Sequence, residues 1–216
     1  MPYKPDEREY RLMDIAVRAV AETEDAGNNF IVEGYATTYN DPYVMKSRDG
    51  ITVREQVDPS AFDNTDMSDV IMQYDHQGRV FARLSNGTMR LENDEHGLKV
   101  IADLGGTTIG RELYEEIKGG YTRKMSFGFT ISSYTETETY NDDGTIDVLE
   151  TITGVGRLYD VSAVSLPANP NTSIVSQRSA FIDGVIDKRI EELEKKRAAD
   201  SKKKRLALLI SLAQEE

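Results

Sequence analysis

The chain has 216 residues, a formal net charge of −12, no cysteine and only two histidines. This composition excludes disulfides, thiolate metal sites and a cysteine nucleophile, and it argues against a multi-histidine zinc site. No segment approaches the roughly 18 apolar residues of a membrane span, and residues 1–10 are too polar for a secretory signal. We therefore expect no membrane association and a protein that is made and used in a cytoplasm.

Charge is distributed unevenly along the chain. Residues 181–216 hold 9 basic and 8 acidic side chains, a net of +1, so residues 1–180 carry −13 where the whole chain carries −12. A body this acidic would repel phosphate groups, so we do not expect a nucleic-acid partner.

The first half of the chain predicts strands. Residues 12–20 alternate in a strand-like way, and a turn-rich stretch at 24–29 connects them to a second run at 30–38, which together predict a hairpin. A turn with a short helical piece is expected at 58–62. Residues 70–74 have a strand-like composition, and His76 follows them.

The middle of the chain predicts a strand pair, 89–91 with 97–104, and then one helix. Thr108 is a candidate N-cap for this helix, which would stack Ile109, Leu113 and Ile117 and end at Gly119-Gly120. Residues 125–131 alternate with a period of two and predict a strand. A hairpin tip at 141–144 and a strand at 158–166, closed by prolines, follow.

The pattern changes to a helical period from about Ser179. Apolar residues recur at helical spacing, and the tail is predicted as a helix with a break near Asp200-Ser201. The apolar stripe consists of Phe181, Val185, Ile186, Ile190 and Leu193. We predict an α+β, predominantly β protein whose body is a partly closed barrel.

Hydrolysis by acyl transfer needs a nucleophile, a base and a group that orients the base. Without cysteine, the nucleophile would be Ser or Thr. Ser126 is a candidate because its neighbours Met125 and Phe127 point to the opposite face of the strand, and Gly128 would leave space for a substrate backbone. The pattern also fits an ordinary polar residue on the open face of a strand.

The base would be one of the two histidines, since an unperturbed imidazole titrates near pH 6.5. His76 at a strand end is the preferred candidate, and His96 in a polar turn is the weaker one. Asp160 lies within an apolar strand, where an isolated carboxylate is costly unless it is paired, and imidazole would serve as its partner. Asp75 is the rival acid, but on an extended chain it would point away from its neighbour His76.

Several blocks together resemble the prohead (head-maturation) serine protease family of tailed bacteriophages. They occur in collinear order between residues 12 and 178. The blocks are Glu33-Gly34-Tyr35-Ala36, residues 55–62, Tyr74-Asp75-His76 with Gly78-Arg79, Gly97-Leu98, Met125-Ser126-Phe127-Gly128-Phe129, and residues 158–170.

The resemblance implies a fold like that of the herpesvirus proteases, a β-barrel flanked by a few helices. It implies Ser126 as nucleophile, His76 as base and Asp160 as third member, at a position where the family often has Glu. Oxyanion donors are expected near Gly119-Gly120 or Gly128. No cofactor and no metal are implied. The expected domains are an N-terminal extension at 1–11, the protease at 12–178 and a helical, charged tail at 179–216.

The implied function is a serine endopeptidase that cleaves the major capsid protein and its scaffold segment inside assembling proheads in the host cytoplasm. The alternatives are a catalytically silent assembly scaffold and an unrelated esterase, although the chain has no G-x-S-x-G motif. We expect the tail stripe to bind a partner, with packing on the body or on a second copy as alternatives. The basic segment at 195–205 is a candidate for self-cleavage.

Overall fold

The computed structural model describes residues 7–16, 18–19, 30–164 and 176–213. Within these ranges, none of the helices combines the length and apolar character that crossing a membrane requires. The elements, in chain order, are β1 (Glu9–Ala16), β2 (Arg18–Ala19), β3 (Ile31–Thr38), β4 (Tyr43–Arg48), β5 (Ile51–Val57), β6 (Ile71–Tyr74), β7 (Gln77–Arg83), β8 (Met89–Asn93), β9 (Gly97–Asp103), α1 (Thr108–Lys118), β10 (Lys124–Tyr140), β11 (Ile146–Val164) and α2 (Ser176–Ala213).

The strands form two sheets. The larger has the order β1-β10-β11-β5-β4, and the smaller has the order β2-β3-β9-β8. β11 is 19 residues long, and it pairs in parallel with β5 along its first half and with β6 along its second half. β7 pairs antiparallel with β6 at the side of this sheet.

The α+β, predominantly β class is confirmed, but the expectation of a barrel is wrong. β1 and β4 lie at opposite ends of the larger sheet and do not pair with each other, and in the described part of the chain no strand of the larger sheet pairs with one of the smaller sheet. The two sheets therefore stay separate. The likeness to the herpesvirus protease fold stays a prediction.

The alternation of side chains at the start of β10 determines which residues face the core and which lie on the opposite face of the sheet. Met125, Phe127, Phe129 and Ile131 are fully buried in the main core, as the period of two predicts. The residues between them, Ser126 among them, therefore lie on the opposite face. The predicted strands at 30–38, 70–74, 89–91 and 97–104 are confirmed, whereas the predicted helical piece at 58–62 is a series of turns. The segments at 24–29 and 165–170 lie outside the described residues.

α1 begins one residue earlier than the predicted cap implies. Thr107, rather than Thr108, is the N-cap, and its side-chain oxygen accepts a hydrogen bond of 3.0 Å from the amide of Gly110. Leu113 and Ile117 are buried as predicted. The helix packs against the core and delivers the chain to the start of β10.

The apolar stripe of the tail packs on the protein's own sheet, so the expected partner role of this stripe is wrong. Ile182, Val185 and Ile186 are buried against a second cluster on the sheet, with Phe181, Ile190 and Leu193 packed around it. The residues of β4, β5 and β11 in that cluster are Met45, Ile51, Val53, Ile146 and Val148. This packing removes apolar surface of both the helix and the sheet from water. The helix alone could not bury its apolar face.

Ion pairs at the edges of this contact reinforce it. Arg189 of α2 is buried and bonds to Glu136 and Glu138 of β10, and Lys46 lies 2.6 Å from Asp183. α2 runs without interruption through Asp200 and Ser201, where a break was predicted.

Candidate active site

The pairing of β10 with β11 brings two predicted site residues to neighbouring positions. Ser126 lies opposite Ser162, and Gly128 lies opposite Asp160. The register then shifts, so that the next residue of β10, Phe129, faces Leu158 and β11 holds one extra residue, Tyr159. Such a bulge reverses the side-chain alternation of one strand. It allows Leu158 to enter the core while Asp160 turns to the face that carries Ser126.

His76 reaches the same face from a two-residue turn. Tyr74 of β6 pairs with Gln77 of β7, and the residues between them, Asp75 and His76, have φ of 48° and 57°. Two successive positive φ values define the type I′ turn that connects twisted antiparallel strands most tightly. β6 also pairs with β11, with Ala163 opposite Tyr74, and the amide of Asp75 donates to the carbonyl oxygen of Ala163, so the turn is fixed beside the end of β11. The expectation of an extended chain at Asp75 is wrong.

The three side chains form a continuous series of contacts. Nε2 of His76 lies 2.6 Å from Oγ of Ser126, and Nδ1 of His76 lies 2.5 Å from Oδ1 of Asp160. Asp160 is fully buried, Ser126 is 3% exposed, and the His76 side chain is 17% exposed. The imidazole therefore lies between a hydroxyl and a carboxylate, in the arrangement that general-base activation of a serine requires.

Ser162 connects the acid to the base. Its Oγ donates a hydrogen bond of 3.1 Å to Oδ1 of Asp160 and accepts one of 3.2 Å from the backbone amide of His76. The side chain of Asp160 and the backbone of His76 are thus held by one hydroxyl on the central strand.

Gly128 provides the space that Asp160 occupies. A Cβ atom at this position would lie 2.4 Å from Oδ2 of Asp160 and 2.9 Å from Cε1 of Tyr10. Both distances are shorter than Cβ atoms tolerate. The expectation that Gly128 leaves space for a substrate backbone is therefore wrong, because side chains of this protein fill that space.

Residues at the N-terminal side of the chain surround the site. Arg8 donates to Oδ2 of Asp160, and the Tyr10 ring lies 4.4 Å from the His76 ring between centroids. The Oγ of Ser126 also lies 2.8 Å from the backbone carbonyl oxygen of Arg11, which competes with Nε2 of His76 for the single hydroxyl proton. β1 pairs with β10 along this stretch, which places Leu12 opposite Ser126.

The environment of Asp160 keeps it ionised. Burial raises the pKa of this carboxyl, but His76 and Arg8 together outweigh burial and hold the pKa below its ordinary value. The carboxylate thus carries a negative charge next to the imidazole. A negative charge at this position stabilises an imidazolium ion when the base takes up a proton.

A groove of about 620 Å³ adjoins the His76 turn. Asp75, Gly78 and Arg79 line it from the turn and β7, and Glu112 and Glu116 line it from α1. The groove lies between the β6–β7 hairpin and α1, and its lining includes the two neighbours of His76, Asp75 and Gln77, but not His76 itself.

A family model described as Caudovirus prohead serine protease matches residues 15–183. The chain belongs to this family. No curated protein and no solved structure matches it. Membership shows a bacteriophage serine protease of the prohead type, which acts in capsid maturation.

The structure of this prohead protease separates the predicted candidates. Ser126, His76 and Asp160 lie together, whereas His96 lies in a turn near Tyr35, with the two rings 4.6 Å apart. The amides of Gly119 and Gly120 were expected near an oxyanion site. This expectation is wrong, because they donate to Glu115 and Ile117 and terminate α1.

Two residues that contact the site were not predicted from the sequence. Ser162 lies within a block that resembles the family, and its position two residues after Asp160 was a signal that could have indicated it. Arg8 lies before the first residue of the prohead protease match, and the sequence around it contains no signal of a contact with Asp160.

Proposed function

We propose that this protein is a serine endopeptidase in which Ser126 is the nucleophile, His76 the general base and Asp160 the group that orients and charges the base. The observation that supports this most directly is the series of contacts from Oγ of Ser126 through the His76 ring to Oδ1 of Asp160. Family membership supports the reaction class independently of this geometry.

The reaction proceeds in two halves. Oγ of Ser126 bonds to the carbonyl carbon of the scissile peptide while His76 takes the hydroxyl proton. His76 then passes this proton to the leaving amine as the C–N bond breaks, which leaves an acyl ester on Ser126. Water attacks the ester, His76 accepts a proton from it and returns one to Oγ, and the new carboxyl end departs. Hydrolysis of one peptide bond consumes one water molecule.

Asp160 supports both halves of the reaction, acylation and deacylation, through its charge and its position. Its Oδ1 accepts from Nδ1 of His76, which fixes the tautomer whose Nε2 is free to take the serine proton. The low pKa of Asp160 keeps it an acceptor throughout the cycle.

The substrates we propose are the major capsid protein and its scaffold segment inside an assembling prohead. The groove beside the His76 turn is a suitable path for an extended segment of such a chain. Cleavage of this protein's own basic segment, residues 195–205, is part of the same proposal, because the described side chains there are exposed.

Co-expression with the cognate capsid protein tests the proposal. The wild type should convert the capsid protein to a shorter form, and Ser126→Ala should not, because loss of a serine nucleophile lowers the rate by about 10⁶ in a comparable protease. Ser47→Ala, a serine on β4 that bonds to Thr52 on the exposed surface, is the matched control. Processing at a normal rate in Ser126→Ala would instead support a silent scaffold with another protease at work.

A further inference from the structure

Arg8 holds the oxygen of Asp160 that faces away from the base. Oδ1 of Asp160 receives hydrogen bonds from Ser162 and His76, whereas Oδ2 receives one from the guanidinium group of Arg8. Both oxygens of the buried carboxylate are therefore occupied, and the plane of the carboxylate is fixed. Without Arg8, the only fixed oxygen would be the one that bonds to the imidazole.

The Arg8 side chain is itself held in place. Its guanidinium carbon lies 5.1 Å from the centre of the Tyr10 ring and 4.7 Å from that of Tyr159, so the group is placed between two aromatic faces. Cations are attracted to such faces. Tyr159 is the extra residue of the bulge in β11, so the same irregularity that turns Asp160 towards Ser126 also supplies one face of the Arg8 site.

The space over Gly128 is shared by these two side chains. A Cβ atom on Gly128 would lie 3.0 Å from Nε of Arg8 as well as 2.4 Å from Oδ2 of Asp160. The Arg8 side chain is 35% exposed whereas that of Asp160 is fully buried, so the ion pair connects the buried carboxylate to a partly exposed cation.

We infer that Arg8 is a positioning residue for this active site, one that acts on the base through the second oxygen of Asp160. The inference rests on the proposed roles of Ser126, His76 and Asp160 and extends them to a residue that lies before the family match. Arg8 touches neither the reacting atoms nor the imidazole, and its effect is on the orientation and charge of the acid.

The positive charge of Arg8 also has a predictable effect on pH dependence. The charged groups that face Asp160 are His76 from the turn between β6 and β7 and Arg8 from the residue before β1; β10 contributes only Gly128, and Ser162 of β11 is uncharged. A cation beside the acid–base pair disfavours protonation of that pair. Removing it should allow the pair to take up a proton at higher pH.

Labelling with a fluorophosphonate, which reacts with activated serine hydroxyls, tests the inference without a known substrate. The rate of labelling at Ser126 is measured over a range of probe concentrations, from about pH 5 to pH 9, the range over which imidazole titrates. Arg8→Gln should lower the maximal labelling step about tenfold to a hundredfold, the range expected for losing a charge-assisted hydrogen bond. The probe concentration at half-saturation should stay unchanged, and the acid limb should move to higher pH.

Two further variants make the result specific. Arg8→Lys keeps the charge, so it should return the acid limb towards that of the wild type and recover part of the rate. Arg157→Gln is the matched control, because Arg157 stacks on the same Tyr159 ring at 5.0 Å but pairs with Asp66 rather than Asp160. It should label like the wild type. Thermal unfolding of each variant checks that it is folded.

The outcomes are distinguishable from those of the proposed function. A wild type that labels at Ser126 together with a folded Arg8→Gln of unchanged rate and pH profile would overturn the role of Arg8 alone. A wild type with no labelling at Ser126 would overturn the proposed nucleophile, and with it this inference. A loss in Arg157→Gln equal to that in Arg8→Gln would assign the effect to the aromatic stack and not to Asp160.

Discussion

Gly128 and Asp160 face each other across β10 and β11, and the carboxylate of Asp160 occupies the volume that a side chain at Gly128 would need. A Cβ atom there would approach Oδ2 to 2.4 Å, so one of the two groups would have to move. The other oxygen of Asp160 is hydrogen-bonded to His76. A displacement of the Asp160 carboxylate would therefore also displace the His76 imidazole.

Gly128→Ala should therefore lower activity while the protein stays folded. Displacement of a catalytic group by about 1 Å costs on the order of a hundredfold in rate. The fluorophosphonate labelling rate of Ser126 measures this. Gly106→Ala is the control, since a Cβ atom at Gly106 would meet nothing within 4 Å. Equal rates in the two variants would show that Asp160 adapts to the extra methyl group.

The two histidines should respond differently to substitution. His76→Ala should lose as much activity as Ser126→Ala, because the nucleophile and the base act as a unit. His96→Ala should be near neutral for processing of the capsid protein, since His96 lies in an exposed turn beside Tyr35. Activity that survives loss of His76 but not of His96 would show that the base is wrongly assigned.

Substitutions of Asp160 should separate charge from shape. Asp160→Asn keeps the shape and removes the charge beside the imidazole, so the rate of capsid-protein processing should fall by up to ~10⁴. Asp160→Glu keeps the negative charge and introduces the residue that the family often has at this position. It should retain more activity than the Asn variant. The reverse order would make Asp160 a structural residue.

Asp160 should also contribute to stability above its unfolded pKa. Burial raises the pKa of Asp160, but His76 and Arg8 hold it below the ordinary value, so the folded state binds a proton less readily than the unfolded state. The contribution is therefore complete above about pH 4, the ordinary range of an aspartate, and is lost as pH falls through the lower folded-state value. Urea unfolding below neutral pH measures it. The free energy of unfolding of Asp160→Asn should depend less steeply on acid pH, and an unchanged slope would contradict the shift.

The tail should behave as part of the folded body. Ile186 is fully buried against the sheet, so Ile186→Ala should lower the free energy of unfolding by about 2–5 kcal/mol. Gly184 lies on the exposed side of the same helix, where a Cβ atom would meet nothing within 4 Å. Gly184→Ala should therefore raise the free energy of unfolding by about 0.5–1 kcal/mol. Chemical unfolding measures both, and a neutral Ile186→Ala would restore the partner role of the stripe.

The sequence predicted the core-facing alternation of β10 because this pattern is local. Met125 and Phe127 need only their own strand to be placed. The orientation of Asp160 could not be predicted in this way, because it depends on an extra residue at Tyr159 that appears only when β10 and β11 are paired. Strict alternation would have placed Leu158 and Asp160 on the same face.

The contacts of the N-terminal residues and the pairing of the sheet edges could not be predicted from the sequence either. Arg8 forms a hydrogen bond with Asp160, which is 152 positions away in the chain. A periodic pattern in the sequence cannot indicate a contact between residues this far apart. Whether the sheets close also depends on which edge strands meet, which is decided by long-range packing. Ser126 and His76 could be named as candidates from the sequence because residue type and family resemblance both indicate them.

Two groups of the site lie on the central strand pair of the larger sheet, Ser126 on β10 and Asp160 on β11, and His76 lies in the turn between β6 and β7 that adjoins β11. Regions of this kind open only when the whole fold opens, and their amide hydrogens exchange with solvent correspondingly slowly. On heating, catalytic competence should thus disappear in the same cooperative transition as the tertiary structure, with no earlier phase in which a folded molecule has lost its function. For an enzyme enclosed in a capsid precursor, inactivation and unfolding would be a single event.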